Sequence, residues 1–424
     1  MASQVRRRWQ PTLASGLPRR DRLGCDFEAY LPDRLSGRKF VFRGDVAADI
    51  ADAETAVQRL DLEATSLVDS EGLARLLLRA EAVASSRIEG LEVGGRRLLR
   101  AEAARAAGDP GHDITAEEIL GNVNAMSWAI GTLGGGEPLR VEDLLEVHRR
   151  LVAGTRLEDQ GGVIRDRQNW IGGSSYNPCQ AAFVPPPPEE VPGLLEDLCA
   201  FCNQDHLPAI AQAAIAHAQF ETIHPFSDGN GRTGRALIHV ILRQRGLVSR
   251  VLPPISLVLA TWSEDYVNGL TRTRYLGDPD QAQAREGLDD WISLFATATR
   301  RAVDDARSYE DTVRGLQVTW RARIRGVRRG SAVDLLLNLL PGTPVLTVAG
   351  AASMIGRSYQ ATNAAIGQLA EAGILRQVRA GSRNRAFEAA ELIDAFGDLE
   401  RRLASPDGDT RVAPPARPVP QRRP

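Results

Sequence analysis

Lysine is almost missing from this chain. Lys39 is the only lysine among 52 basic residues, and the others are arginines, a bias that we attribute to codon usage rather than to function. Against 54 acidic residues, the formal net charge is only −2. A charge so close to balance excludes a global basic field that would draw the chain to nucleic acid or to a membrane surface.

Long apolar runs are missing as well. The N-terminal stretch MASQVRRRW is basic but is not followed by an apolar segment, so we expect neither a secretory signal nor a membrane anchor. No run approaches the roughly 20 residues of a membrane-spanning helix. With 43% hydrophobic and 25% charged residues among 424, the composition is that of an ordinary globular protein. The length allows about two or three cores.

Cysteine is scarce, with only Cys25, Cys179, Cys199 and Cys202. So few thiols indicate a reducing compartment without a disulfide framework, and therefore a cytoplasmic protein. Cys199 and Cys202 have the spacing of a redox or zinc half-site. They lie inside a helical pattern over 191–203 with no second pair, so we interpret them as small buried apolar residues.

The densest chemistry lies in the segment HPFSDGNGRTGR, residues 224–235. His224 ends an apolar-periodic helix predicted over 210–223, and Pro225 breaks that helix, so the imidazole should face a loop. Such a histidine can take up a proton near neutral pH. Asp228 comes directly before a glycine turn, where a carboxylate is well placed to hold Mg²⁺ against two phosphates.

The glycine turn leads into a second predicted helix. Backbone N–H groups at such a helix start can face a phosphate, and the helix dipole adds to the attraction. Arg232 and Arg235 lie on the first turn, and guanidinium groups bind phosphate oxygens bidentately. Alone, each feature is typical of a loop, a turn or a solvated helix face. Their coincidence in twelve residues favours phosphate chemistry.

This segment resembles the signature of the Fic (Fido) family at every defined position. The resemblance implies transfer of a nucleoside monophosphate, most often AMP from ATP, to a hydroxyl of a target protein. It implies that His224 deprotonates a Ser, Thr or Tyr hydroxyl and that Asp228 holds Mg²⁺ between the α- and β-phosphates. The residues that it assigns to the phosphates, with Asn230 at the α-phosphate and the arginines at the β- and γ-phosphates, are Gly229, Asn230, Gly231, Arg232 and Arg235.

A second segment, Ser85–Gly90, ends a helical pattern that begins near Leu73, and it resembles the inhibitory motif of Fic proteins. Ser85 and Glu89 are four residues apart and therefore share a helix face. The resemblance implies that Glu89 pairs with Arg235 and keeps the γ-phosphate from its productive position, as in class II members. The alternative is an ordinary helix end, with Gly90 at the C′ position and a solvated glutamate before it.

Two short extended runs, 162–173 and 182–188, predict a hairpin around a turn-rich loop. In Fic proteins the corresponding hairpin is the flap, which pins the target segment by main-chain pairing. The alternative is a structural hairpin that caps a helical bundle, with the proline run as a stiff connection. The residues predicted to dock the target are Arg165, Gln168, Asn169, Trp170, Ile171, Gly172 and Val184.

The C-terminal part predicts helices over 332–340, 347–355 and 358–372, then strands over 374–378 and 385–388. This pattern resembles a winged helix-turn-helix domain. Side chains on its third helix could reach base edges, and nearby arginines could contact phosphates. A protein-binding or dimerising wing is an equal alternative, because the third helix is poor in basic residues. The side chains in question are Ser358, Tyr359, Gln360, Thr362 and Asn363, with Arg357, Arg379, Arg383 and Arg385.

The predicted fold class is mainly α: a Fic-type helical core with a β-hairpin flap, an N-terminal helical segment and a C-terminal winged-helix domain. The predicted order is an extended segment 1–30, a helical region with the inhibitory motif 31–112, the catalytic core 113–305, a linker helix with the winged helix 306–400, and a disordered tail 401–424.

The expected function is that of a protein AMP-transferase that uses Mg²⁺ and ATP and is inhibited by Glu89. Its expected partners are ATP and an unidentified target protein, for which the chain itself is one candidate. One alternative is a DNA-binding transcriptional regulator whose Fic core senses nucleotide. Another is removal of AMP, or a different nucleotidyl or phosphoryl transfer. The sequence leaves open the nucleotide base, the hydroxyl type and whether the chain is a homodimer.

Overall fold

A computed structural model describes residues 1–10, 24–65, 70–106, 108, 113–324, 326–380 and 384–403. The chain divides into two compact units. The first unit comprises Met1–Glu54, Trp128–Leu247 and Glu264–Thr297, and the second comprises Thr55–Ser127, Val248–Ser263 and Ala298–Pro424.

The described residues are mainly helical, as predicted. None of their helices combines the length and the apolar character needed to cross a bilayer. The helices are α1 Gly44–Thr65, α2 Ser70–Ile88, α3 Gly95–Ala106, α4 Ile114–Leu133, α5 Val141–Val152, α6 Val191–Cys202, α7 Ala209–Ile223, α8 Asn230–Gln244, α9 Ile255–Thr261, α10 Ser263–Arg272, α11 Ala282–Arg323, α12 Ala332–Leu339, α13 Val348–Ile355, α14 Tyr359–Glu371 and α15 Ala390–Leu403. The strands are β1 Ser3–Trp9, β2 Cys25–Leu31, β3 Val345–Thr347, β4 Arg376–Ala380 and β5 Asn384–Glu388.

Helix α7 is the centre of the first unit. Each of its residues is buried, and most of them are alanine or isoleucine. It packs against α6 and α8, and α8 also contacts α5. Gly234 permits the close α7–α8 contact, because a Cβ there would lie 2.9 Å from Phe220 Cδ1 and 3.0 Å from Glu221 Oε1. The tight pair places the loop between α7 and α8 at one end of the core.

The N-terminal segment, which was predicted to be extended, contains two paired strands, β1 and β2, that we call the N-terminal hairpin. Strands β1 and β2 pair antiparallel, with Ser3 opposite Leu31 and Trp9 opposite Cys25. Cys25 forms a disulfide with Cys179, 154 residues away. The prediction of a chain without disulfides is therefore wrong. A cysteine count shows scarcity, whereas a disulfide depends on two Cα atoms lying close in space, here 5.8 Å apart.

In the second unit, α2 packs against α9. The buried carboxylate of Glu81 on α2 accepts hydrogen bonds from the backbone N–H of Ser256, at 2.7 Å, and from the Ser256 hydroxyl. On another side of α2, the Asn122 amide donates to the Ala82 carbonyl at 2.8 Å and to Ser86 Oγ at 3.1 Å. Paired polar groups therefore fix α2, because an unpaired buried group would be costly.

The C-terminal part of the second unit contains α12, α13 and α14 with an antiparallel sheet of order β3-β5-β4. The three helices begin at side-chain caps, where the hydroxyls of Ser331, Thr347 and Ser358 accept from backbone N–H groups three residues on. Strand β3 was not predicted. Residues 381–383, with Arg383, and the tail 404–424 lie outside the described residues, so the predicted tip of the wing and disordered tail are not addressed.

Glu388 joins this sheet to α3. Its fully buried carboxylate accepts from Arg100 at 2.9 Å and from Arg376 at 2.8 Å. Burial opposes the charge, but the two guanidinium partners prevail and lower the pKa of Glu388. An apolar cluster formed by Leu99, Ala103, Ala104, Val345, Ala386 and Ile393 backs the same junction. Helix α3 and the sheet are therefore one packed body.

Candidate active site

His224 stands at the end of α7 in a left-handed conformation, with φ 51° and ψ 61°. It is the one non-glycine residue with positive φ among those that the structure describes. Its N–H donates to the Phe220 carbonyl at 2.9 Å, which completes the last turn, and Pro225 cannot extend the helix. Such a backbone costs on the order of 1 kcal/mol or more and persists only where its surroundings enforce it.

Arg165 enforces that turn. Its buried guanidinium donates to the carbonyls of His224 at 2.8 Å, Pro186 at 2.6 Å and Ile223 at 3.3 Å. Its backbone N–H donates to the Pro225 carbonyl at 3.0 Å. Burial lowers the pKa of Arg165 to about 10, so it stays charged at neutral pH. The structure thus places Arg165 beneath the loop that carries His224, where it fixes the main chain.

Asn169 and Asn230 close the same loop. The Asn169 amide donates to the carbonyls of His224 at 3.2 Å and Phe226 at 3.1 Å. The Asn230 amide both accepts from the Phe226 N–H and donates to the Phe226 carbonyl, each at 2.8 Å. The loop from His224 to Asn230 is therefore held from both sides before any ligand binds.

Helix α8 begins at Asn230, after Gly229 with φ 80°. A Cβ at Gly229 would lie 3.0 Å from Leu151 Cδ2 and 3.2 Å from the His148 ring. Glycine is therefore required here for two reasons, because it tolerates positive φ and because it has no side chain. The first N–H groups of a helix have no partner within the helix and form an anion site. The predicted phosphate cradle at 229–231 lies at this helix start.

Asp228 and Arg232 are paired beside this helix start. The Asp228 carboxylate is half exposed and accepts from Arg232 Nη2 at 3.3 Å. The Arg232 side chain is buried, and its Nε has no hydrogen-bond partner among the described residues. A buried guanidinium with a donor to spare fits an anionic ligand.

Arg235 is 1% exposed. It contacts Tyr266, a residue that the sequence did not indicate as part of the site. Its Nη1 donates to the Tyr266 hydroxyl oxygen at 3.4 Å, and His217 Nε2 lies 2.9 Å from the same oxygen. Burial first, then the charge of Arg235, lowers the pKa of His217 to about 3. A neutral His217 can accept the Tyr266 proton, which leaves the hydroxyl oxygen for Arg235. From sequence, Tyr266 is an ordinary aromatic on the buried face of α10.

His148 on α5 was also missed. Its Nε2 donates to the Asp228 carbonyl at 3.0 Å, and its Nδ1 accepts from the Gly162 N–H at 3.0 Å. The ring stacks on Phe226 with centroids 3.8 Å apart. Burial lowers its pKa to about 4, so the ring is neutral and uses both nitrogens. The sequence feature that could have identified His148 is its position on the apolar face of an amphipathic helix.

The flap contains less strand than predicted. One bridge joins its halves, in which the Ile171 N–H donates to the Phe183 carbonyl and the Ala182 N–H donates to the Ile171 carbonyl, both at 2.8 Å. The two predicted runs meet in this one antiparallel bridge and not in a longer ladder, because Gly172 and Gly173 adopt positive φ directly after Ile171 and prolines follow Val184. Ile171 and Gly172 remain exposed at the flap edge.

The other flap residues bind their own neighbourhood. The Gln168 amide donates to the Pro185 carbonyl at 2.9 Å, and the Trp170 indole donates to the Ser174 carbonyl at 2.7 Å. The Val184 carbonyl accepts from the Tyr30 N–H on β2 at 2.9 Å. These contacts hold the flap in place.

The residues of the inhibitory motif lie in the second unit. Ser85 is buried within α2, and Glu89 follows the last residue of that helix and is exposed. Gly90 has φ 81°, the conformation of a helix C′ residue. The motif thus coincides with the end of α2.

Asp228 is the predicted metal ligand. Across the described ranges there is no group of three or more His, Cys, Asp and Glu side chains that could hold a metal ion. Mg²⁺ is commonly bound by one or two carboxylates together with substrate phosphates. One half-exposed carboxylate next to an anion site fits that mode of binding.

A histidine loop leads into the start of α8, within a helical core that carries a flap. Residues 138–242 match the model of the Fic/DOC family, and residues 47–131 match that of the Fic/DOC family N-terminal region. The chain is therefore similar to the Fic/DOC family over these two ranges.

Two curated relatives are similar over this part. Protein adenylyltransferase fic-1 of Caenorhabditis elegans is 34% identical over 165 residues, 38% of this chain and 30% of the relative. Protein adenylyltransferase Fic of Drosophila melanogaster is 34% identical over 139 residues, 32% of this chain and 26% of the relative. The chain thus spans less than a third of the length of these relatives.

One solved structure has the same fold over most of the chain. It is a Fic family protein from Desulfovibrio desulfuricans G20, with a TM-score of 0.51, and the match covers 82% of this chain and 97% of that one. At 21% identity, this likeness concerns the fold alone.

Proposed function

We propose that this chain is a protein adenylyltransferase, which transfers AMP from Mg-ATP to a hydroxyl of a target protein. The observation that carries the proposal is the strained His224 turn, which Arg165 and Asn169 hold directly before the start of α8. The activity named for the two relatives supports the same chemistry.

The reaction that this arrangement favours begins at the hydroxyl. The His224 imidazole takes the hydroxyl proton, and the oxygen forms a bond to the α-phosphorus of ATP. The bond from that phosphorus to the bridging oxygen of the β-phosphate breaks, and pyrophosphate leaves. Positioning and charge stabilisation supply most of the rate in such a substitution. A loop that holds His224 in a fixed position therefore contributes more to the reaction rate than a mobile loop would.

The triphosphate is assigned to the start of α8. Backbone N–H groups at Gly229–Gly231 and the guanidinium groups of Arg232 and Arg235 would bind its oxygens. Asp228 would hold Mg²⁺, which neutralises charge on the phosphates. The buried Arg232, with a spare donor, supports this assignment.

The target segment is assigned to the flap edge. An extended segment would pair with the exposed main chain at Gly172, because the N–H and the carbonyl of Ile171 are already bonded to Phe183 and Ala182 within the flap. Main-chain pairing reads little side-chain sequence, so the chain itself and other proteins are both eligible targets. A cytoplasmic location stays a prediction, because the Cys25–Cys179 disulfide removes the argument from scarce cysteine.

Glu89 is assigned to inhibition of AMP transfer within the same chain, as in class II Fic proteins. We infer that it pairs with Arg235 and displaces the γ-phosphate from its productive position. The support for this role is the resemblance of Ser85–Gly90 to the inhibitory motif, because an exposed Glu89 before Gly90 is equally typical of an ordinary helix end. Removal of AMP is a second use of the same glutamate, which would then orient a water molecule.

The C-terminal part of the second unit is assigned to a winged helix that binds DNA or a protein. Tyr359, Gln360 and Asn363 are exposed at the start of α14, which favours a contact surface. Thr362 is fully buried and donates to the Ser358 carbonyl at 2.9 Å, so we withdraw it from base contact. The DNA-binding regulator remains the second candidate function on this surface.

Two labels of ATP test the main proposal. The full chain is incubated with Mg²⁺ and ATP labelled with ³²P at either the α- or the γ-phosphate, alone and with lysate proteins. Transfer of AMP retains the α-label on protein and releases the γ-label with pyrophosphate. Retention of the γ-label would indicate phosphoryl transfer, and retention of neither label in the wild type or in Glu89→Gly would contradict the proposal.

A further inference from the structure

The four cysteines form two pairs with opposite properties. Cys199 and Cys202 are buried free thiols on α6, and burial raises the pKa of Cys199 to about 12. Cys25 and Cys179 are half-buried and joined as a disulfide. Thiolates are the reactive species in exchange, so only the second pair is suited to redox chemistry.

The disulfide joins the N-terminal hairpin to the flap. Cys25 is the first residue of β2, and Cys179 lies in the flap loop between the bridge residues Ile171 and Phe183. The flap has one internal bridge, so its own main chain contributes little to its order. A covalent link from outside the flap therefore limits its movement, by restricting the conformations open to the loop.

Weak contacts supplement this link. The rings of Trp9 and Trp170 meet edge to face with centroids 5.2 Å apart, and Arg7 forms an ion pair with Glu189. Both partners of that ion pair are largely exposed, so it contributes little. A main-chain hydrogen bond from the Tyr30 N–H of β2 to the Val184 carbonyl, at 2.9 Å, adds a buried contact, so the disulfide is one of several links between the hairpin and the flap.

An open cleft gives access to the disulfide. The cleft holds about 920 Å³ and is lined by Cys179, by Asp26 and Phe27 of β2, and by Ala182 and Phe183 of the flap. A small dithiol or a reductase loop could enter it. Cys199 and Cys202 do not line this cleft.

We propose that Cys25–Cys179 is a thiol–disulfide exchange site that controls the order of the flap and thereby target docking. The link to docking rests on the proposed function. A thiolate of a dithiol reductant attacks one sulfur, the Cys25–Cys179 bond breaks, and a mixed disulfide forms. The second thiol of the reductant then displaces the protein sulfur, which leaves two protein thiols and the oxidised reductant. Two electrons and two protons pass from the reductant to the pair.

Hydrogen exchange of the full chain, oxidised or treated with dithiothreitol, tests the exchange site. We expect reduction to raise amide exchange at least about threefold in flap peptides over 163–187, with α7 and α8 unchanged. Alkylation read by mass spectrometry should label Cys25 and Cys179 only after reduction. The double variant Cys25→Ser, Cys179→Ser should show the fast flap exchange with or without dithiothreitol.

Equal flap exchange in the oxidised and reduced wild type would overturn the proposal, as would alkylation of Cys25 without reductant. AMP transfer is a separate readout. Slower transfer to protein with unchanged ATP binding on reduction supports control of docking. Transfer that is unaffected by reduction while the flap loosens would overturn that control. Absence of transfer in both redox states of the wild type and of Glu89→Gly, with a redox-dependent flap, would contradict the proposed function while supporting the exchange site.

Discussion

Helices α8 and α14 both begin with polar residues that the sequence assigns to ligands, but they differ in burial. In α8, Asn230, Arg232 and Arg235 are buried. In α14, Tyr359 is 58% exposed, and Gln360 and Asn363 are exposed with it. Burying a polar group is costly unless its surroundings satisfy it, whereas an exposed polar group costs almost nothing. The buried set therefore indicates a built site, and the exposed set indicates a surface.

The supports of the two helices differ in the same way. The loop before α8 is held by Arg165, Asn169 and His148, which come from other parts of the first unit. The start of α14 is held by its own Ser358 cap and by Arg385, which donates to the Asn363 side chain at 2.9 Å. Substitutions should therefore act through distant partners in α8 and only locally in α14.

The largest predicted effect is that of Asp228→Ala. Loss of the carboxylate should remove Mg²⁺-dependent nucleotide binding and AMP transfer together, with transfer reduced on the order of a hundredfold or more. Titration calorimetry of ATP with and without Mg²⁺ and the α-label assay measure the two effects. Asp26→Ala, on the exposed hairpin, is the control. Full activity of the Asp228→Ala protein would contradict the assignment of Asp228 as the Mg²⁺ ligand.

Glu89→Gly should raise transfer by about tenfold or more, because release of about 1.4 kcal/mol of competition is a factor of ten. The double variant with Arg235→Ala should lose most of this gain. Initial rates across ATP concentrations measure both changes, with Glu92→Gly, an exposed neighbour beyond the motif, as control. A wild type as active as Glu89→Gly would return Glu89 to an ordinary helix-end residue.

Acid should weaken the first unit through His148 and His217, whose pKa values are lowered to about 4 and about 3. The folded state keeps both rings neutral, while the unfolded chain takes up protons below about pH 6.5. The free energy of unfolding should therefore fall from pH 6.5 towards 4, by at most about 1.4 kcal/mol per pH unit for each histidine.

Urea denaturation at several pH values measures this slope. His148→Phe keeps the stacking on Phe226 and removes the titrating group, so its slope should be shallower than that of the wild type. His206→Gln, at an exposed position, should leave the slope unchanged. Equal slopes for wild type and His148→Phe would contradict a neutral, buried His148.

The smallest effect is expected for Tyr359→Ala. An exposed side chain should change the free energy of unfolding by no more than about 0.5 kcal/mol and leave AMP transfer unchanged. Binding of the full chain to DNA over a salt series tests the second candidate function, because phosphate contacts weaken steeply with salt. Loss of AMP transfer in Tyr359→Ala would mean that α14 has a part in the reaction.

The parts of the fold and of the candidate site that could be predicted are local in sequence. His224 to Arg235 is a continuous segment, and the starts of α12, α13 and α14 are specified by capping hydroxyls. The parts that were missed are contacts between distant residues. Tyr266, His148 and the Cys25–Cys179 bond depend on which helices and loops meet, which no local pattern reveals. Strand β1 was missed because its run of three arginines lacks the alternation of a half-buried strand.

His224→Ala in the Glu89→Gly background tests the central claim most directly. Label transfer from α-³²P-ATP and the Kd for Mg-ATP are measured on the same preparations, with His206→Ala as control. We predict that transfer falls at least about a hundredfold while the Kd changes by less than about threefold, because the imidazole acts on the hydroxyl and not on the triphosphate. Retained transfer, or a loss of ATP affinity as steep as the loss of turnover, would contradict the assignment of His224 as the base.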